Sequence, residues 1–219
     1  AASIAKVPFH LDSKLLKDVI PNNTVDFAFP NFYELTSLHE ELSKNEYFDV
    51  DKWFPIIDSL SLGDTFRSKI RNLGKFVPQI QTELEDGIVL KAIQILPYIP
   101  NLFVKLGSKG LLLFQLIYDL DQINIYKKTT DSTKVIEVYQ TSDNLALGIQ
   151  YFPSCESDNV INVTGAGDTL CGFLLAELAA DQTLLYDNSK KIAVIEKALL
   201  AAKLSVETTN SVSSRLLEI

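Results

Sequence analysis

The chain of 219 residues lacks the features that mark several protein classes. It has two cysteines, Cys155 and Cys171, and their spacing is not that of a metal site. It has no run of about 18 apolar residues, so no segment is expected to span a membrane. Residues 1–11 contain no continuous apolar run with a basic flank, so no secretion signal is expected there. Two free thiols then fit a reducing compartment, and we expect a cytoplasmic protein.

Positive charge is also scarce. The chain has 20 Lys and Arg against 28 Asp and Glu, for a net charge of -8. An acidic surface disfavours nonspecific binding to nucleic acid and to anionic membranes. A nucleotide site stays compatible with this balance, because it needs only local positive potential. The chain is 47% hydrophobic and 22% charged, which is the composition of a globular protein with a sizeable core.

Hydrophobic periodicity predicts strands that alternate with helices along most of the chain. Helices are predicted over 14–20, 32–43, 88–96, 168–180 and 192–206, and strands over 25–29, 102–106, 111–117, 135–139, 145–151 and 160–163. This alternation predicts an α/β fold with a largely parallel central sheet flanked by helices. Residues 44–75 interrupt the pattern and are expected to form a helical excursion. That excursion is interpreted either as a cap or contact surface, or as a small core of its own aromatic residues.

The strongest chemical signal is residues 162–169, Asn-Val-Thr-Gly-Ala-Gly-Asp-Thr, between a predicted strand and an apolar helix. Small residues let the backbone approach a ligand, and N–H groups at a helix N-terminus favour an anion. A carboxylate at Asp168 can accept the proton of a hydroxyl that attacks a phosphoryl group. The alternative is a glycine-rich turn in which Asp168 only caps the helix.

Three segments, in order, resemble the ribokinase-like carbohydrate kinase family, also called the PfkB family. Residues 162–172 resemble its C-terminal signature, residues 30–34 resemble its Asn-x-x-Glu motif, and residues 104–110 resemble the strand and turn beside its nucleotide. Within the family the chain is most similar to pseudouridine kinases of the fungal type. That narrower similarity lies in four short segments: 3–6, 96–100, 201–207 and 211–213.

The resemblance implies a ribokinase-like sandwich and an ATP-dependent kinase. Its acceptor would be a primary hydroxyl of a ribose-bearing substrate, with pseudouridine converted to pseudouridine 5'-phosphate. Asp168 would be the catalytic base, and backbone groups of Gly165, Ala166 and Gly167 would form an anion hole for the transferring phosphoryl group. Alternatives are another sugar or nucleoside kinase of the family, and a non-catalytic nucleotide-binding fragment of a larger protein.

The resemblance also assigns residues to ATP and to metal ions. Asn31 and Glu34 would act on Mg²⁺ through water. The residues expected beside ATP are Asn31, Lys105, Gly107, Gly110, Thr164 and Asn210, with a monovalent cation such as K⁺ near Asn210. Without the family, Asn31 is interpreted as a helix cap, Glu34 as a solvated carboxylate and Lys105 as a side chain that reaches solvent.

The chain departs from the family pattern in several places. Asn162 stands where the family often has Asp, Phe173 where a small residue is common, and Lys105 where many relatives have Thr. The family's Gly-Gly signature, substrate-binding Asp and lid are not found here, so we expect roughly the last two-thirds of such a kinase, poorly active alone. The expected partner is a small-molecule sugar or nucleoside, not nucleic acid or a membrane. A homodimer, or fusion to a pseudouridine-phosphate glycosidase domain, is also expected.

Overall fold

The computed structural model describes residues 25–44, 50–118, 136–141, 145–181, 183–210 and 212–219. The helix predicted over 14–20 and the similarity at residues 3–6 lie outside these ranges. The described strands are β1 (Phe27–Ala28), β2 (Asn101–Lys105), β3 (Leu111–Ile117), β4 (Ile136–Thr141) and β5 (Ala146–Phe152). The described helices are α1 (Phe32–Lys44), α2 (Val50–Ser59), α3 (Asp64–Phe76), α4 (Gln81–Glu85), α5 (Ile88–Ile95), α6 (Ala166–Ala180) and α7 (Asn188–Val206). The predicted α/β class is confirmed.

The five strands form one sheet in the order β1-β2-β3-β5-β4. β1 pairs with β2 in parallel, whereas the β2–β3, β3–β5 and β5–β4 pairs are antiparallel. The expectation of a largely parallel sheet is therefore wrong for the described strands. The reason lies in short connections, because a parallel neighbour needs a crossover of about a dozen residues or more. β2 and β3 are instead joined by a tight turn over 106–110, in which Leu106 N–H donates to the Gly110 carbonyl at 2.8 Å.

Side chains of β3 are buried on both faces of the sheet, and successive residues point to opposite faces. Leu112, Phe114 and Leu116 belong to a first hydrophobic cluster, which also holds the buried side chains of α1, α3 and α5. Leu111 and Leu113 belong to a second cluster, with the buried side chains of α6 and α7. The sheet therefore separates two packed layers of helices.

The segment expected to be a helical excursion is helical where the structure describes it, as α2 and α3. Its buried side chains Leu60, Phe66 and Leu73 join the first cluster. Phe54, by contrast, is 53% exposed. The described part of this segment thus packs on the main core, not around a separate core of its own.

The strand predicted over 160–163 is wrong, because residues 153–163 contain no helix or strand. Val160 and Val163 are exposed, so the apolar alternation that predicted a strand is not used for burial. The backbone N–H groups of Ile161 and Asn162 both donate to the Val206 carbonyl at the end of α7, at 2.7 and 3.1 Å. These backbone N–H groups are thus bonded to the end of α7 and not to a neighbouring strand.

None of the helices in the described ranges combines the length and the apolar character that crossing a bilayer would need.

Candidate functional site

A cavity of about 700 Å³ lies where β1 and β2 end, next to α6 and α7. Five parts of the chain form its wall: Asn31 at the start of α1, the end of β2 with the following turn, the chain after β5, the start of α6 and the last turns of α7. Among the residues predicted as functional, the cavity is lined by Asn31, Lys105, Gly107, Gly110, Ala166 and Gly167. The structure therefore brings together six predicted residues from three segments that are far apart in the sequence.

One corner of the cavity is suited to an anion. α6 begins after Gly165, whose φ is 89°, and it has no side-chain cap at its N-terminus. The first N–H groups of a helix have no partner within the helix and favour negative charge. The Lys105 side chain lies against the start of α6, because a Cβ built on Gly167 would be 3.4 Å from Lys105 Nζ and 3.5 Å from its Cδ. An ammonium group and a helix N-terminus thus meet at one place.

Asp168 follows immediately in the first turn of α6, and its side chain is exposed. It is not among the residues that line the cavity, and neither are Thr164 and Gly165. The preceding turn is held by Asn162, whose side-chain oxygen accepts from Thr164 N–H at 3.0 Å. The exposed start of α6 therefore carries a carboxylate at the edge of the anion corner, not inside the cavity.

Asn31 and Glu34 form a reciprocal cap at the start of α1. Asn31 N–H donates to Glu34 Oε2 at 2.6 Å, and Glu34 N–H donates to Asn31 Oδ1 at 2.9 Å. This is the geometry of a capping box, so Asn31 is the helix cap that one interpretation of the sequence expected. Asn31 also lines the cavity and bridges to Lys105 on the parallel neighbour strand, whereas Glu34 does not line it.

The turn after β2 shows why two glycines are needed there. Gly107 and Gly110 have φ of 61° and 105°. A Cβ on Gly110 would collide with the backbone of Phe152 and Ser154, whereas a Cβ on Gly107 would meet nothing within 4 Å. The tight contact at Gly110 seats the turn against the end of β5.

Side-chain contacts also hold the turn after β2 in place. Lys109 Nζ pairs with Glu83 Oε1 at 2.6 Å, and the Tyr151 hydroxyl donates to the Lys109 carbonyl at 2.6 Å. Burial raises the pKa of Tyr151, so its hydroxyl stays a protonated donor; a hydrogen bond from Gln79 acts in the opposite direction. The cavity wall formed by this turn is therefore tied both to β5 and to α4.

Asn210 lies apart from the site as the structure describes it. Its side chain is exposed, it does not line the cavity, and its backbone N–H donates to Thr208 Oγ1 at 3.3 Å. Within the described ranges, no group of three or more His, Cys, Asp or Glu residues is placed to hold a metal ion. The prediction of a monovalent cation near Asn210 stays untested.

Sequence reasoning missed two parts of the cavity wall. One is residues 154–158, Ser-Cys-Glu-Ser-Asp, which follow β5. The other is the last turns of α7, with Leu199, Ala202, Lys203 and Val206. The first had a usable signal, since a polar, turn-rich stretch directly after a buried strand is a common place for binding residues. The second had none, because a helix face gives no sign of which residues border a cavity.

No family model matches the chain. The chain is 28% identical over 167 residues to a pseudouridine-metabolizing bifunctional protein of Schizosaccharomyces pombe, a match that covers 76% of this chain. The two proteins are relatives. The resemblance to proteins of pseudouridine metabolism, expected from short motifs, is therefore confirmed. The chain spans about a fifth of the length of this yeast relative, since the match covers 20% of it.

Two solved structures are also similar. A ribokinase of Thermotoga maritima is 18% identical with a TM-score of 0.43, and the match covers 96% of this chain and 46% of that one. A ribokinase of Giardia lamblia is 19% identical with a TM-score of 0.36, over 59% of this chain and 35% of that one. The chain thus spans less than half of each ribokinase.

Proposed function

We propose that this chain is the ATP-binding and catalytic part of a ribokinase-like kinase. The proposed reaction transfers the γ-phosphoryl group of ATP to a primary hydroxyl of pseudouridine and yields pseudouridine 5'-phosphate and ADP. The observation that carries the proposal is the position of Lys105 against Gly167, at the N-terminus of α6, in the wall of a 700 Å³ cavity. The yeast relative, which metabolizes pseudouridine, supports the choice of substrate.

The anion corner would hold the phosphates of ATP. A lysine acts on phosphate as a compact positive charge, and the oriented N–H groups at Ala166 and Gly167 add donors that need not reorganise during the reaction. Away from this corner, α7 contributes the apolar side chains of Leu199, Ala202 and Val206 together with Lys203, and residues 154–158 contribute polar side chains. The apolar part of α7 would lie against the flat base of ATP, while the anion corner would hold its phosphates.

Asp168 would be the base of the reaction. Its carboxylate would accept the proton of the substrate hydroxyl while that oxygen bonds to the γ-phosphorus and the bond to the ADP oxygen breaks. Because Asp168 is exposed at the edge of the anion corner, the acceptor would approach from outside the ATP cavity. Donor and acceptor would then meet at the start of α6, between the anion corner and the Asp168 carboxylate.

A Mg²⁺ ion is implied by the family resemblance, and the side-chain oxygen atoms of Asn31 and Glu34 fit it. Asn31 Oδ1 and Glu34 Oε2 each accept one backbone N–H, and such oxygens keep further lone-pair capacity. Mg²⁺ binds oxygen and keeps several waters, so Asn31 and Glu34 would hold it through water without opening the capping box. The ion would neutralise charge on the phosphates of ATP.

The wider setting is part of the same proposal. The yeast relative is bifunctional and much longer than its match to this chain, which supports fusion to a pseudouridine-phosphate glycosidase domain as one arrangement. A homodimer, a monovalent cation and a cytoplasmic location are further elements of the proposal.

Titration calorimetry with ADP, ATP and adenosine tests the phosphate site. Lys105→Ala should weaken binding of ADP by about tenfold or more, because a hydrogen bond to a charged group is lost. Binding of adenosine should stay within about twofold, since adenosine has no phosphate. Lys75→Ala, at an exposed position in the last turn of α3, is the matched control and should change neither. Equal losses for ADP and adenosine would contradict the assignment of Lys105.

A second assay tests the acceptor. The protein that contains this chain is incubated with Mg²⁺ and ATP and with pseudouridine, uridine or ribose, and products are identified by mass spectrometry. The proposal expects the 5'-phosphate of pseudouridine as the main product. If another sugar or nucleoside is converted preferentially, the protein is instead a kinase of the same family with that substrate. Nucleotide binding with no conversion of any acceptor would favour the non-catalytic alternative.

A further inference from the structure

The cavity wall at residues 153–163 has no regular secondary structure, so its position depends on individual bonds. Two groups at the end of α7 hold it. The Val206 carbonyl accepts the N–H groups of Ile161 and Asn162, at 2.7 and 3.1 Å. The Glu207 carboxylate accepts the hydroxyl of Ser157 at 2.9 Å. These three hydrogen bonds join the loop to the end of the helix that forms the opposite part of the cavity.

Glu207 makes more contacts than this one bond. Its Oε1 lies 3.6 Å from Lys203 Nζ, and its Oε2 lies 3.4 Å from Arg215 Nη1. The Glu207 side chain is only 19% exposed, and the hydrogen bond from Ser157 together with the charges of Lys203 and Arg215 lowers the pKa of its carboxyl group. One carboxylate thus joins the loop, the last turn of α7 and the short 3₁₀ turn Ser214–Glu218, which contains Arg215.

Two of the side chains that Glu207 contacts, Ser157 and Lys203, line the cavity, although Glu207 itself does not. If the contacts were lost, Ser157 would leave the end of α7 and the Lys203 ammonium would no longer have a fixed position. The cavity would then exist in its described shape for only part of the time, and apparent affinity falls in proportion to that fraction.

We infer that Glu207 is a positioning residue of the nucleotide cavity, which holds the 154–158 wall and Lys203 in the geometry that binds the nucleotide. This inference rests on the proposed function, because it takes the cavity as the nucleotide site. Glu207 acts through Ser157 and Lys203 and touches no reacting atom.

The test compares ADP binding by the full chain and four variants, by titration calorimetry. Glu207→Ala should raise Kd by about tenfold, because loss of a charged hydrogen-bond acceptor has an effect of this size. Ser157→Ala should raise it by about threefold, since one hydrogen bond is lost and both ion pairs stay. The double variant should match Glu207→Ala, because the two residues share one bond and their effects do not add. Glu196→Ala, an exposed carboxylate on α7, is the control and should leave Kd unchanged.

Glu207→Gln separates positioning from general loss of structure. Its amide oxygen can still accept from Ser157 while both ion pairs are lost, so Kd should fall between the wild-type and Glu207→Ala values. The melting temperature of Ser157→Ala should stay at the wild-type value, which makes this variant decisive if Glu207→Ala fails to fold. A wild-type Kd in Ser157→Ala, or in folded Glu207→Ala, would overturn the inference.

Amide hydrogen exchange in the ligand-free chain makes the inference independent of nucleotide binding. Glu207→Ala and Ser157→Ala should speed exchange at Ile161 and Asn162, whereas Glu196→Ala should not. If the wild-type chain binds no ADP, the proposed function fails, and this exchange still decides whether Glu207 holds the wall. Unchanged exchange in both variants would overturn the positioning role.

Discussion

The two sides of the sheet are built differently. The side that packs against α1, α3 and α5 is covered by a cluster of apolar side chains, among which Phe114 and Leu112 are fully buried. The side that packs against α6 and α7 is also apolar in large part, but it contains buried polar groups and leads into the cavity. Both sides stabilise the same strands, but the buried polar side chains of β3, β5 and α7 lie on the second side.

The buried polar groups on the second side form hydrogen-bonded chains. Lys191, which is fully buried in α7, donates to Gln115 Oε1 at 2.9 Å, and Gln115 donates to Asn101 Oδ1 at 2.9 Å. Gln150 donates in the same way to Asn188, at 2.9 Å. A buried polar group is costly unless it is bonded, so such chains are satisfied in one register only. The lesson is that both sides supply stability, whereas the polar side also fixes where α7 lies and so shapes the cavity.

The largest expected effect is on catalysis alone. Asp168→Asn should lower kcat by about 10²–10⁴-fold, because it removes a general base. Affinity for ATP and the free energy of unfolding should change little, since the Asp168 side chain is exposed and does not line the cavity. Steady-state kinetics on the active protein, with calorimetry for ATP, measures the two quantities separately. A variant that keeps most of its kcat would remove Asp168 from the mechanism.

Two neighbouring leucines test the comparison of the two sides directly. Leu112 and Leu113 are both 0% exposed in β3 and point to opposite faces. Substitution of either by Ala should lower the free energy of unfolding by about 2–5 kcal/mol, measured by urea denaturation. Only Leu113→Ala should also weaken ADP binding, because it loosens the contact with α6 and α7. Equal effects on ADP from both variants would mean that the two sides do not differ in function.

Much of this arrangement was accessible from the sequence, and the failures have physical causes. β3 was predicted with its observed bounds, because a short apolar run that follows Gly110 and is interrupted only by Gln115 marks a strand buried on both faces. The direction of the strands was not predicted correctly, because hydrophobic periodicity is the same for parallel and antiparallel strands. The tight turn over 106–110 makes β2 and β3 antiparallel.

The candidate site likewise has a part that the sequence predicts and a part that it does not. The motif residues Asn31, Lys105 and Gly167 were predicted, and the cavity brings them together. Their contacts were not predictable in the same way, because the approach of Lys105 to Gly167 depends on packing between distant segments. The wall at 154–158 has no periodicity, and its position depends on bonds to Ser108 and Glu207. Sequence patterns therefore predicted motif residues that the structure places at one cavity, whereas the irregular wall required the structure.

A smaller effect is expected at the end of the sheet, where both sides meet the cavity. Gly107→Ala should cost about 1 kcal/mol, because a positive φ is strained for alanine but the new Cβ has space. Gly110→Ala should cost at least about twice as much, since its φ of 105° suits glycine almost alone and its Cβ would meet the Phe152 carbonyl. Urea denaturation of both variants measures the difference. If both variants lose the same free energy of unfolding, Gly110 does not make the described close contact with the end of β5.

The smallest expected effect concerns α1, which packs on the apolar side but begins at the cavity. Glu34→Gln keeps an oxygen that can accept from Asn31 N–H, so the capping bond survives and the free energy of unfolding should change by no more than about 0.5 kcal/mol. If Glu34 acts on Mg²⁺ through water, loss of its charge should still weaken ATP binding in the presence of Mg²⁺ and leave binding in EDTA unchanged. Glu40→Gln, at an exposed position of the same helix, controls for the loss of one negative charge. Calorimetry measures the affinity for ATP with Mg²⁺ and with EDTA. If Glu34→Gln leaves the ratio of these two affinities at the wild-type value, Glu34 acts only as a helix cap and not on Mg²⁺.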